Sequence, residues 1–240
     1  MSGPDIRIRN TFEESAKACA TYILQELEET LKVQPRATIA ISGGSTPKPL
    51  FASLAQADFD WSRIHFFWVD ERCVPPTDEQ SNFKLANETL LLPALVPSHN
   101  VHRIHGEMIP EDAAIRYIQE IQQFFALGEH QLPVFDLVHR GIGPDAHTAS
   151  LFPGEPLIGN RTGIAAAVWV EKLHSHRVTL LPGVLLGARR TVLQVAGEDK
   201  AEPVFNVLKG PEDLMRFPCQ IASRDANATW FLDKSAASRL

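Results

Sequence analysis

The sequence has little cysteine. Cys19, Cys73 and Cys219 are its three thiols in 240 residues, an odd number set far apart, with no CxxC pair and no Cys/His ladder. They suggest neither a disulfide framework nor a metal site, and reduced thiols in a cytoplasmic protein are expected. Long apolar runs are also missing: none approaches the roughly 18 residues that suggest a membrane span. The opening "MSGPDIRIRNTF" lacks the basic, apolar, small-residue order of a secretory signal, so no membrane partner is expected. Positive charge is in deficit. Lys and Arg total 23 against 29 Asp and Glu, a formal net charge of −6, which argues against nucleic acid as the main partner. A small anion can still bind in a locally positive pocket. Internal repeats, low-complexity tracts and long linkers are absent, and at 44% hydrophobic composition the chain can bury a full core. A single domain over residues 1–240 is expected.

What is present alternates. Thr11 to Lys32 places Phe12, Cys19, Ile23, Leu27 and Leu31 on one helical face, and Thr11 with Glu14 has the spacing of a capping box. "ATIAIS" (37–42) reads as a buried strand, and "TPKPLFASLAQ" as the helix after it. "IHFFWVDER" is a strand ending in charge; "SNFKLANETLLL" and "PEDAAIRYIQEIQQFFAL" are helices. Further strands are expected at "VFDLVHRGIG", "IAAAVWVE", "HRVTLL", "TVLQVAG" and "ATWFLD", with "EDKAEPVFNVLKG" a helix closed by glycine. Strands alternating with helices predict an α/β fold: a mainly parallel, Rossmann-like sheet with helices on both faces. In such sheets, ligands bind beyond the carboxyl ends of the strands at a topological switch point, so residues just after strands are the informative ones.

Two glycine stretches occupy such positions. In "ISGGSTPKPLF", Gly43 and Gly44 permit positive φ and close approach of the backbone to a ligand. Ser45 or Thr46 can cap the helix that Pro47 begins, and amides at a helix N-terminus make an anion site. A capped turn that binds nothing would use the same residues. The stretch is neither GxxxxGK[ST] nor GxGxxG, so no nucleotide cofactor is implied. "GIGPDA" (141–146) does match GxGxxA formally, but a dinucleotide site needs a substantial helix after the glycines. Here Pro153 and Gly154 leave room for only a short one.

Titratable residues cluster at the same places. Arg72 follows an apolar strand and could grip a phosphate or carboxylate as a fork, steady a developing oxyanion, or simply pair with Asp70 or Glu71. Cys73 beside it reads as a packed thiol. His147 lies after the strand 134–140 with Asp145 two residues upstream, a spacing that lets the carboxylate orient the ring as a general base. His99, His102 and His105, and His174 with His176, have spacings compatible with metal ligands, but without HExxH or a cysteine partner no metal is expected. Arg177 and Lys200 lie at strand ends, where either could neutralise a phosphate.

Taken in order, "SGGSTPKPLF", "FFWVDERCVPP", "SNFKLA", "FDLV", "GIGPDAHTASLFPG", "HRVTLLPGVLLGAR" and "WFLD" resemble the 6-phosphogluconolactonase family over nearly the whole chain. "DAHTASLFPG" is the most specific piece. The resemblance implies hydrolysis of 6-phospho-D-glucono-1,5-lactone, a step of the oxidative pentose phosphate pathway, without a cofactor. It further implies that Ser42, Gly43, Gly44, Ser45 and Thr46 form the sugar-phosphate pocket with Arg177 and Lys200 as phosphate partners. By the same resemblance, His147 is the general base, Asp145 its orienter, and Arg72 lies near the reacting end or the phosphate. Two departures stand out: the family usually reads DGH where this chain has Asp145, Ala146 and His147, and "LVHRGIG" replaces a more apolar strand end. If the usual glycine makes a left-handed turn, the placement of His147 depends on Ala146 adopting it. The alternatives are a sugar-phosphate isomerase or deaminase of the same fold, and a non-catalytic sugar-phosphate sensor. The sequence favours neither a monomer nor a homo-oligomer.

Overall fold

Thr11 caps the first long helix as its spacing predicts. Its Oγ1 accepts from the Glu14 amide at 3.1 Å, and the Glu14 carboxylate reaches back to the Asn10 amide at 3.0 Å. The computed structural model describes residues 3–44 and 46–240; Met1, Ser2 and the predicted site residue Ser45 lie outside the described residues. In chain order the elements are β1 (Asp5–Arg9), α1 (Phe12–Val33), β2 (Ala37–Ile41), α2 (Lys48–Ala55), β3 (Ile64–Trp68), β4 (Asp70–Arg72), α3 (Asn82–Ala86), β5 (Val101–His102), α4 (Pro110–Phe125), β6 (Leu137–Arg140), β7 (Ala165–Val170), β8 (Ser175–Leu180), α5 (Pro182–Gly187), β9 (Arg190–Val195), α6 (Ala201–Lys209) and β10 (Ala228–Asp233).

Seven strands form one parallel sheet in the order β1-β10-β9-β6-β2-β3-β5. Side-chain alternation decides which helix covers which face. Val192 and Phe231 belong to the core beneath α1, where the Tyr22 ring meets Phe231 at 5.6 Å. Their neighbours Leu193, Val195, Trp230 and Leu232 pack instead with Val204 and Val207 of α6. The predicted three-layer α/β/α architecture is therefore present.

The strand read as one run over "IHFFWVDER" divides. β3 stays in the parallel sheet, and β4 turns into a separate three-stranded antiparallel sheet, β4-β8-β7. Tyr117 of α4 pins the departure point: its hydroxyl donates to the Trp68 carbonyl at 2.7 Å and accepts from the Trp68 amide at 2.9 Å. β7 and β8, with no helix between them, form the hairpin of this second sheet. Two other expectations need correction. Thr46 makes no capping bond, because Pro47 is itself the cap residue of α2 and no side chain accepts there. The segment after Gly141 forms turns rather than a short helix.

The sheet's switch point lies between β2 and β6. From β2 the chain builds outward through β3 to β5, then returns to place β6 on the other side of β2 and builds outward again through β9 and β10. The segments leaving the carboxyl ends of β2 and β6 are the two glycine stretches.

Near that point the sheet buries a histidine. His139 on β6 is 2% exposed and packs edge-on against Phe51 of α2 at 6.2 Å. Burial pushes its imidazole down to about 4, and burial with the neighbouring His102 does the same to His65. Both stay neutral in the fold at pH values where an unfolded histidine, near 6.5, takes up a proton. These two histidines therefore cost no stability above about pH 6.5 and lower it progressively as pH falls toward 4. Urea unfolding of His139→Leu is expected to show a shallower loss across this window than wild type, by roughly 3 kcal/mol at the acid end. Parallel pH profiles for the two proteins would contradict a buried neutral His139.

Candidate functional site

One cavity of about 340 Å³ opens at the switch point. Ser42, Gly43, Gly44 and Thr46 enter it from the end of β2, Arg72 and Arg177 from the second sheet, His147 from the loop after β6, and Lys200 from the turn after β9. Asp145 stands behind His147, outside the cavity wall. Asp145 apart, the predicted site residues within the described chain thus line one cavity, Arg177 entering from within β8 rather than from a strand end.

Two glycines in these loops are required by close approach. A Cβ on Gly43 would lie 2.0 Å from the Asn82 amide oxygen, and one on Gly143 would lie 1.9 Å from Nδ1 of His147. Gly44 takes φ +97, open to glycine and costly for other residues. Beyond it, α2 follows Pro47 with no side-chain cap among the described residues, so the amides of Lys48 and Leu50, Pro47 and Pro49 having none, stay available to an anion at the helix N-terminus.

The His147 loop is tightly specified. The Gly143 amide donates to the His147 carbonyl and the Ala146 amide to the Gly143 carbonyl, each at 2.9 Å. Ala146 sits at φ 62, the left-handed conformation on which the placement of His147 depended. An L-residue other than glycine holds that conformation at a cost of about 1–2 kcal/mol, offset here by full burial of its methyl group and by the Cys219 amide donating to its carbonyl at 2.9 Å. Thr148 is fixed from beneath: the buried Arg140 guanidinium donates to its hydroxyl at 3.3 Å, and that hydroxyl donates to the Gly141 carbonyl at 3.2 Å.

His147 itself meets the Asp145 carboxylate through Nδ1 at 2.5 Å, and the Phe152 ring stacks on it at 4.1 Å. The other Asp145 oxygen accepts from the Lys172 ammonium, which arrives from the tip of the β7–β8 hairpin. Burial works to raise the Asp145 pKa, but the hydrogen bonds from His147 and Lys172 outweigh it and hold the carboxyl well below its usual range. An ionised Asp145 keeps the proton on Nδ1, which leaves Nε2 without it, on a ring that lines the cavity.

The acids beside Arg72 are spoken for. Glu71 accepts from the amides of Arg72, Asn82 and Phe83 at 2.7–2.8 Å and from the Ser81 hydroxyl at 3.1 Å, which makes it an anchor for the start of α3. Burial raises its pKa against those bonds. Asp70 accepts from Ser150 Oγ at 2.7 Å and faces Arg177 at 3.9 Å. The alternative of an Arg72 ion pair with either acid is therefore not realised. Arg72 donates one Nη1 bond, to the Gln80 carbonyl at 2.5 Å, and its buried Nε has no partner among the described residues.

Arg72 lies directly opposite Arg177 in the β4–β8 ladder, an unfavourable pairing of like charges unless an anion lies between or beside them. Burial lowers the Arg177 pKa; Asp70 opposes that and Arg72 adds to it. Lys200 is held by Asp199 at 2.9 Å at the mouth.

Several side chains here escaped the sequence reading. Lys172 carried no signal beyond its place between two strands, and Asn82, Ser150 and Phe152 enter through tertiary contacts. His102 and His65 spend their nitrogens on each other at 3.0 Å and on Glu120 at 2.8 Å. Among the described residues no cluster of three or more metal-ligating side chains occurs.

Known proteins share this arrangement of chain. The 6-phosphogluconolactonase of Treponema pallidum is 35% identical over 82% of this chain and 83% of its own length. That of a Nostoc species is 34% identical over 91% of this chain and 90% of its own. The structure of 6-phosphogluconolactonase from Trypanosoma cruzi superposes with a TM-score of 0.87 at 25% identity, covering 99% of this chain and 97% of that one. Residues 10–230 match the family described as glucosamine-6-phosphate isomerases/6-phosphogluconolactonase, and to that family the chain belongs.

Proposed function

We propose that the chain hydrolyses 6-phospho-D-glucono-1,5-lactone to 6-phosphogluconate, with His147 as the general base. One observation carries the reading: His147, backed by Asp145, and the glycine loop with its helix N-terminus line one cavity that also holds Arg72, Arg177 and Lys200. A phosphorylated lactone of one hexose ring needs such a combination, anion recognition at one end and a proton acceptor at the other.

In this mechanism the phosphoryl group rests against Gly43, Gly44 and Thr46, with Lys200 and Arg177 supplying positive charge. Binding there, remote from the reaction, holds C1 for attack. His147 Nε2 takes a proton from water as the water oxygen adds to C1. The imidazolium, steadied by the Asp145 carboxylate, returns that proton to the ring oxygen as its bond to C1 breaks. The tetrahedral oxyanion needs a donor. The amides of Gly143 and Ala146 are already engaged in the turn, whereas Arg72 and Arg177 each keep a buried Nε with no partner among the described residues; with Arg177 given to the phosphoryl group, Arg72 is assigned that role. The protein acts as a single domain, in the cytoplasm, without nucleic acid; no helix among the described residues is long and apolar enough to cross a membrane. An isomerase or deaminase would use the same phosphate loop, but its relatives at 31–35% identity carry the lactonase name.

A proton-release assay with early time points, corrected for spontaneous hydrolysis, tests the roles. His147→Ala is expected to lower kcat about a hundredfold or more with little change in KM. Lys200→Ala should instead raise KM more than it lowers kcat. A His147→Ala protein hydrolysing at the wild-type rate would remove the general-base assignment. Arg72→Leu is expected to lower kcat about a hundredfold; an effect confined to KM would move Arg72 to the phosphoryl group. Incubation with glucosamine 6-phosphate should release no ammonia.

A further inference from the structure

The floor of the cavity carries polar groups that the proposed mechanism does not use. His139 is 2% exposed and Gln194 is 1% exposed, both line the cavity, and neither ring nitrogen nor either amide atom has a hydrogen-bond partner among the described residues. Leaving one such group unpaired costs about 1–3 kcal/mol, so a fold that retains two of them side by side has a use for them in the presence of a ligand.

Strand register explains how they meet. His139 of β6 lies opposite Val192 of β9, so Gln194, two residues further on, shares its face of the sheet and stands beside Gly141. Gly141 contributes no side chain between them. A Cβ placed there would meet only the Gln194 carbonyl, at 3.8 Å, so the space above Gly141 is open. His139 on one side and Gln194 on the other thus wall a small polar niche in the floor, between the phosphate loop after β2 and the His147 loop after β6.

We propose that His139 and Gln194 form a subsite that hydrogen-bonds ring hydroxyls of the sugar lactone, and so select a hydroxylated ring over a deoxygenated one. The inference rests on the lactonase reading and adds specificity residues to it. Donor and acceptor balance favours hydroxyls over the phosphoryl group. A neutral imidazole and a primary amide each offer donor and acceptor, as a hydroxyl does, while a phosphoryl dianion would find half of those groups repulsive. The cations that suit a dianion, Arg72, Arg177 and Lys200, stand elsewhere on the wall. His139 stays neutral because burial holds its pKa near 4, which keeps one ring nitrogen an acceptor at neutral pH.

The test compares kcat/KM for 6-phosphoglucono-δ-lactone with that for its 2-deoxy and 3-deoxy counterparts, in wild type, His139→Leu, Gln194→Leu and Gly141→Ala. Wild type is expected to prefer the fully hydroxylated lactone over at least one deoxy lactone by about tenfold or more. Each leucine variant should bring that ratio toward one while keeping a melting temperature at pH 7.5 no lower than wild type, since it removes an unpaired buried polar group. Gly141→Ala, which leaves both side chains in place and meets no steric clash, should raise KM for the hydroxylated lactone by filling the niche. A wild type that treats all three lactones alike, or leucine variants that keep the wild-type ratio, would overturn the subsite while leaving the lactonase reading intact. A wild type that hydrolyses none of them would overturn both.

Discussion

The parallel pairing of β2 with β6 is the constraint on which the site depends. Ile39 and Ala40 align with Leu137 and Val138, and because those strands start the two halves of the sheet, the loops leaving their carboxyl ends must diverge from a common crevice. One strand releases a glycine loop and a helix N-terminus, the other a turn bearing an imidazole. Neither loop would form a site alone. The hydrogen bonds of the ladder fix the separation of the two loops, and the buried apolar residues beneath α1 and α6 fix the ladder.

Charge is distributed with the same division of roles. The acids near the cavity serve architecture: Glu71 anchors α3 and Asp70 ties Asn82 and Ser150 to the second sheet. Asp145 and Asp199 are exceptions, the first committed to His147 and Lys172 and the second to Lys200. Arg72 and Arg177 lie opposite each other in the β4–β8 ladder with Asp70 beside Arg177, and a phosphorylated ligand would relieve the remaining repulsion. A chain with a net charge of −6 thereby keeps a cationic pocket, because local placement rather than the total sets the potential a small anion meets.

Much of this was legible in the sequence where local rules dominate. The apolar periodicity of residues 11–32, the Thr11 cap and the alternation of strands and helices survive in the structure because burial of one face decides them. Proximity of Gly43 to His147 was legible only through the switch-point rule and through a resemblance spread over distant motifs. Other features depend on the third dimension. The break of "FFWVDER" into β3 and β4 follows from Tyr117 gripping Trp68, and nothing in the local sequence marks it. Thr46 fails as a cap because Pro47 already adopts helical dihedrals. Ala146 holds a left-handed turn that its propensity disfavours, since the bonds from Cys219 and to Gly143 over-determine the loop. Lys172 reaches Asp145 from a hairpin 27 positions away along the chain.

In the proposed mechanism one hexose ring spans from the helix N-terminus after Gly44 to Nε2 of His147. A crystal structure with 6-phosphogluconate bound tests it most directly. The phosphoryl oxygens are expected against the Gly43–Gly44 loop and Lys200, with an oxygen of the C1 carboxylate within hydrogen-bond reach of His147 Nε2, roughly 3 Å. A product molecule bound with its phosphoryl group away from that loop, or with C1 out of reach of His147, would contradict it.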